Sequence, residues 1–430
     1  MHLPPNHPLR HLLSNEIHAR PPSELAAPER VSYIALHYKN PDAALADLAS
    51  LCEAWRLPLP LAELTHFTAE HENLRLKWER HTEFASYTFS RAGEFSPAFA
   101  TPAISFVNAD WLAALAGSML VAIHVAVPMH RDAVPALPAM AREFGDRYLI
   151  GARVAGGNAI VLTDLIIHAD EFSRMLIMDT GLGKRQGGRT VQRMLEIETY
   201  RIMALMGLPV ARRIAAMLGA LEQELAEITR MMAQDDTHDE PALLRRLSRL
   251  AATVESEVAS NSFRFGASAA YYELTKRRIA ELREERLTGE QTIEEFMDRR
   301  LAPAMATCAS TEKRLLDLSE RVARASDLLR TRVDIEREQQ NQALLASMNS
   351  RARMQLRLQQ TVEGLSIAAI TYYVVGLVGY LAKALKETGV GLSVEMVTGA
   401  AIPFVALVVW LAARRVRKHV EAANDEPRNT

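Results

Sequence analysis

Apolar and polar residues follow three spacings along this chain. In the first 180 residues, short runs rich in Val and Ile have the length of covered strands: "VSYIALHY" (31–38), "MLVAIHVAV" (119–127) and "NAIVLTDLII" (158–167), with "MLIMD" (175–179) as a further candidate strand. "LRLKWE" (74–79) and "FASYTFS" (84–90) alternate instead. Leu74, Leu76 and Trp78 then share one face, as do Ala85, Tyr87 and Phe89, and the polar residues between the two runs predict a hairpin. "PDAALADLASLCEAW" (41–55) is helical, so the region is expected to be an α/β domain with a mixed sheet.

After a Gly-rich loop, "TGLGKRQGGRT" (180–190), everything is expected to be helical, because the chain becomes rich in Ala, Leu, Glu and Arg and loses its alternation. "MGLP" (206–209) predicts a kink or break in the first helix, and "TIEE" (292–295) has the form of a capping box that starts another. Beyond Pro303 nothing stops this helix. Leu315, Leu318, Val322, Ala325 and Leu329 follow the 3-4-3-4 spacing of a coiled coil or a tight helical stalk.

The third pattern is unbroken apolarity. No charge falls between Gly364 and Ala382 or between Met396 and Ala413, and each run has about the length that spans a bilayer core. Arg351, Arg353 and Arg357 upstream, with Arg414, Arg415, Arg417 and Lys418 downstream, predict both termini on the cytoplasmic side of a bacterial inner membrane. "MHLPPNHPLRHLL" has no apolar signal-peptide core, which agrees with a cytosolic N-terminal part. The expected fold class is α+β and mostly α. Residues 1–180 form a cytosolic α/β domain with a mixed sheet, 181–300 a helical bundle and 303–363 a long stalk helix. Residues 364–382 and 396–413 are transmembrane helices joined by a periplasmic loop, 383–395, and 414–430 are a basic cytosolic tail.

Charge and cysteine content narrow the function classes. A net charge of −2 argues against a nucleic-acid footprint. Two cysteines, Cys52 and Cys308, give neither a disulfide framework nor a thiolate metal site.

"HPLRHLLSNEIHARP" (7–21) and "LEIETYRIMALMGLP" (195–209), together with the Tyr- and Gly-rich first span, resemble a bacterial family of membrane-anchored proteins of unknown function. That resemblance implies no activity. The order of α/β domain, helical bundle, long helix, paired spans and basic tail is similar to the CorA-type magnesium channels, which implies a homo-oligomer with the first span lining a pore. Those channels end that span with Gly-Met-Asn. Gly379, Tyr380 and Leu381 stand at the similar place here, so the ring of Asn amides that meets the hydrated ion is missing.

Three clusters carry candidate chemistry. Gly183, Lys184, Arg185, Gly188, Arg189 and Thr190 fit G-x-x-x-x-G-[KR]-T between a strand and a helix, with Arg189 where a phosphate loop needs Lys. The readings are a flexible loop capping the helix, an anion site and a nucleotide loop. His7 and His11 have i, i+4 spacing suited to a divalent cation, with His18 nearby; alternatively, His18 and Arg20 tie the segment to the domain. In the first span Ser366, Ala369, Tyr373, Gly376 and Tyr380 share a face that should point toward a pore or another helix, with Gly379 beside it. No hydrolase or metalloprotease motif is present, and neither an enzyme nor a cofactor is expected. The leading reading is an oligomeric inner-membrane protein of CorA-like build, a cation channel or a non-conducting relative. The second is a membrane-anchored scaffold that recruits a protein partner, and the third is an anion- or nucleotide-sensing domain around residues 183–190.

Overall fold

Among the described residues, nine strands form one sheet in the computed structural model of this chain: β1 (Glu29–His37), β2 (His66–His71), β3 (Leu74–Arg80), β4 (Phe84–Ala92), β5 (Ser118–Val127), β6 (Ile150–Val154), β7 (Ala159–Thr163), β8 (Ser173–Asp179) and β9 (Glu285–Arg286). Their order is β2-β3-β4-β1-β5-β8-β7-β6-β9. β5 and β8 run parallel and the other pairs antiparallel, so the sheet is mixed, as expected. The structure describes residues 6–11, 14, 22–61, 64–130, 136–234, 240–387 and 393–424. It divides into two compact units, Met1–Asp327 and Leu328–Thr430.

The predicted hairpin forms, with Leu76 opposite Phe89 and Trp78 opposite Tyr87. These residues are buried with Leu48, Leu51 and Cys52 of α1 (Pro41–Ala54) and Trp111 of α2 (Ala109–Ala114). Each such side chain contributes roughly 1.5–3 kcal/mol by leaving water. The Asn40 side chain accepts from Asp42 N, and Pro41 occupies the first turn of α1, where its missing N–H costs nothing. A second cluster, around Phe144, Leu149, Ile160 and Leu176, supports the other half of the sheet and includes Met140 of α3 (Leu137–Ala141).

Two expectations about strands need correction. The run 158–167 is not one strand. β7 stops at Thr163 because the Asp164 carboxylate accepts from Ile166 N at 3.2 Å and Leu165 turns through φ 51°. Nor is the chain purely helical after residue 180, since β9 pairs with β6.

The helices are α4 (Lys184–Leu205), α5 (Gly207–Ala233), α6 (Glu240–Leu282), α7 (Ile293–Glu387) and α8 (Val394–Asn424). The break at "MGLP" falls at Met206, where a Cβ on Gly207 would stand 2.6 Å from Ser268 Oγ of α6. The capping box at the start of α7 is reciprocal: Glu295 N donates to Thr292 Oγ1 at 3.1 Å and Thr292 N to Glu295 Oε2 at 3.2 Å. Pro303 lies inside α7 without ending it. Leu315, Leu318, Val322 and Ala325 are buried, while Arg314 pairs with Glu222 of α5 and Ser319 bonds Glu255 of α6. The seam within the first unit therefore serves the chain's own bundle.

Among the described residues, three helical segments are long and apolar enough to cross a membrane, by length and composition alone: Lys184–Ala233, Ile293–Leu385 and Val394–Arg415. The first buries Val191, Met194, Leu195, Ile214 and Leu218 inside the folded unit. Almost none of the apolar windows of the other two is buried. In the second unit α8 approaches α7 at Gly379, where a Cβ would meet Thr398 Cγ2 at 3.1 Å.

Candidate functional site

Strand alternation gives β3 and β4 a second face, opposite the aromatic core. On it stand Arg75, Lys77 and Glu79 of β3 and Ser86, Thr88 and Ser90 of β4. Register sets them in cross-strand rows that β1 extends: Val31–Ser90–Arg75, Tyr33–Thr88–Lys77 and Ala35–Ser86–Glu79. A polar face of this kind is ordinarily solvated, but here α4 roofs it. Val191, Gln192, Leu195, Glu196, Thr199 and Tyr200 lie over the floor and line, with it, a half-open cavity of about 470 Å³. Ser23 to Leu25 close one end, held because Gly187 and Gly188 let the backbone pass at contact distance. A Cβ on Gly188 would sit 1.7 Å from Ser23 O, and Leu25 N donates to Lys184 O at 3.0 Å.

The charges inside are largely paired. Lys77 Nζ lies 3.1 Å from Glu79 Oε1, with only 10% and 12% of these side chains exposed. In the roof, Arg278 of α6 pairs with Glu196, which also accepts from Gln192 Nε2 at 2.7 Å. Arg75 pairs with Glu29 and donates to Glu24 O at 2.7 Å. Burial holds the Tyr33 phenol well above its usual pKa, so it stays protonated, and its Oη lies 3.0 Å from Thr199 Oγ1. Gln192 Oε1 is buried with no hydrogen-bond partner. Since a carboxylate only accepts, the Gln192 amide nitrogen must face Glu196, and its oxygen is left unpaired and closed off from solvent. The site can therefore orient a small polar guest by hydroxyls and two ion pairs.

The residues singled out from sequence fall in three places. Gly183 precedes α4 without a side-chain cap; Lys184, Arg185 and Arg189 are exposed, and Arg185 Nε lies 3.2 Å from Glu24 Oε1. Thr190 Oγ1 donates to Gln186 O, and the Asp179 carboxylate takes the Gly181 and Leu182 amides at 2.9 and 2.7 Å. Of this loop, Gly188 reaches the cavity. His7 and His11 are exposed, and His18 lies outside the described residues; among those described, no group of three His, Cys, Asp or Glu side chains could hold a metal. Ser366, Ala369, Tyr373, Gly376 and Tyr380 are exposed on α7, whereas Gly379 faces α8. The cavity itself escaped the sequence reading, because polar residues alternating with an aromatic face look like a wet strand surface.

A Ser-His-Asp order also occurs inside the sheet. Ser32 Oγ lies 3.0 Å from His124 Nδ1, and His124 Nε2 lies 4.0 Å from Asp170. Ile104 N donates to Ser32 Oγ, Phe172 stacks on the imidazole at 3.9 Å, and Ser32 is fully buried, so this group packs the interior.

The family described as "Protein of unknown function (DUF3422)" matches residues 5–420. This agrees with the resemblance read at residues 7–21 and 195–209, at the level of an uncharacterised family. No curated protein and no solved structure matches the chain.

Proposed function

The chain belongs to the DUF3422 family of proteins of unknown function, and from its geometry we propose that it is a membrane-anchored binding protein for a small polar molecule. The guest occupies the cavity under α4, and the apolar stretches of α7 and α8 cross the inner membrane with both termini in the cytosol. The roofed polar floor carries this reading. A helix packed on a strand face normally excludes water with apolar side chains. Here about 470 Å³ remains above hydroxyls and charges, within the size range of small-molecule sites. The reading assigns binding without turnover, because the buried charges are committed to partners and none is poised as a nucleophile or base. Full-length protein purified in detergent and desalted should retain a small molecule detectable by mass spectrometry, and Thr88→Trp, which fills the cavity, should not. Equal retention by both proteins, or none by either, would count against the reading.

A homo-oligomeric arrangement of CorA-like build, conducting or not, is a second reading. It is favoured by the stripe Ser366, Ala369, Tyr373, Gly376 and Tyr380, which stays exposed while Gly379 faces α8. Small and polar side chains in hydrocarbon are usually turned toward another helix.

A further inference from the structure

We infer that the guest is a small zwitterion with N–H donors, of the α-amino acid or short-peptide class, and this rests on the cavity reading above. The charge of the lining makes the first choice. Glu24, Glu70, Glu79 and Glu196 stand against Arg75, Lys77 and Arg278, so carboxylates are in excess. A nucleotide or another polyanion would meet net repulsion, and an apolar guest would strand the Lys77–Glu79 pair away from water. A guest with one positive and one negative group can replace the water around both members of that pair.

The second choice comes from the roof. Glu196 there and Glu79 of the floor both line the cavity. Carboxylates accept N–H bonds, which an ammonium provides and a quaternary amine does not. The guest's ammonium is thus read by the carboxylates of Glu79 and Glu196, and its carboxylate by Lys77. The hydroxyls of Ser86, Thr88 and Ser90 line the floor between. A neutral polyol would use these hydroxyls but would bring no charge to either member of the floor pair. Lys77 and Glu79 are therefore specificity-determining residues, two apart on one strand and facing the same way.

The test is equilibrium binding to full-length protein in detergent, by calorimetry, with the common α-amino acids, diglycine, trimethylglycine, spermidine, citrate and sorbitol as probes. At least one amino acid or diglycine should bind, and the N-trimethyl form of the best binder should bind at least tenfold more weakly. Lys77→Met and Glu79→Gln should each weaken binding at least tenfold. A single variant leaves one buried charge without its partner. Where that prevents folding, the double variant Lys77→Met/Glu79→Gln removes both charges together, and it should fold and lose the zwitterion. Binding that survives the double variant, or equal binding of the trimethyl form, overturns the proposal. If only sorbitol, spermidine or citrate binds and Thr88→Trp abolishes it, the zwitterion is wrong and the cavity reading stands. If no probe binds at 10 mM-scale concentrations, roughly the weakest affinity of interest, the zwitterion proposal fails, and the retained-molecule measurement decides the cavity on its own.

Discussion

His124 lies in the sheet interior between Ser32 and the ring of Phe172, and burial pushes its pKa from 6.5 down to about 4, with Asp170 opposing and Arg174 adding to the fall. Between those two values the unfolded chain takes up a proton that the folded chain refuses. Stability is therefore complete above about pH 6.5 and declines as the pH drops toward 4. The loss amounts to about 3 kcal/mol at roughly 1.4 kcal/mol per pH unit. Denaturant titrations over this range should show the decline, and His124→Gln should make it shallower. Glu83 and Arg264 form a pair with 12% and 14% of their side chains exposed, joining the β3–β4 turn to α6. Arg264→Met leaves the buried carboxylate without its cation, with only the Tyr271 hydroxyl beside it, and should cost about 3 kcal/mol. Most of that should return in Glu83→Gln/Arg264→Met; a double variant no better than the single would mean that Arg264 acts through packing.

Two glycines at the start of α4 separate loop geometry from close approach. Gly183 has open space where a Cβ would go, whereas Gly188 would place one 1.7 Å from Ser23 O. Gly183→Ala should change stability by no more than about 0.5 kcal/mol. Gly188→Ala should cost about 3 kcal/mol and open the end wall of the cavity, so that retained ligand is lost as well. Thermal unfolding of the two variants side by side checks this; similar losses would remove the packing role of Gly188. The same elements explain what was legible beforehand. The apolar halves of β3 and β4 were readable because Trp78, Tyr87 and Phe89 recur at period two, and the α7 start because its cap is local. β2 "HFTAEH" offers only Phe67 and Ala69 as an apolar row, and β9 is two residues paired to β6 from more than a hundred positions away, so neither leaves a clear local signal. The cavity was hidden for a related reason: its roof, α4, arrives about a hundred residues after its floor, and no window along the chain contains both.

For the whole molecule, the anchor reading predicts that a reporter fused after Thr430 is active only in the cytosol and that one inserted beside Glu387 is active only outside, because basic residues flank the two apolar stretches. With Cys52 and Cys308 replaced, cysteines at Tyr373 or Tyr380 should crosslink between subunits in membranes. Bridging instead to Ala406 of the same chain would remove the oligomer and with it the channel reading. The claim on which the rest depends is that the space over Thr88 belongs to a guest. Thermal unfolding of the full-length protein and of Thr88→Trp, each with and without a small-molecule extract of cells, measures this most directly. The account predicts that the extract raises the wild-type midpoint by roughly 2 °C or more and leaves Thr88→Trp where it was. Equal shifts in both proteins, or an unmoved wild type beside a Thr88→Trp that unfolds far below it, would contradict the account, since a tryptophan that ruins the fold means the space was never free.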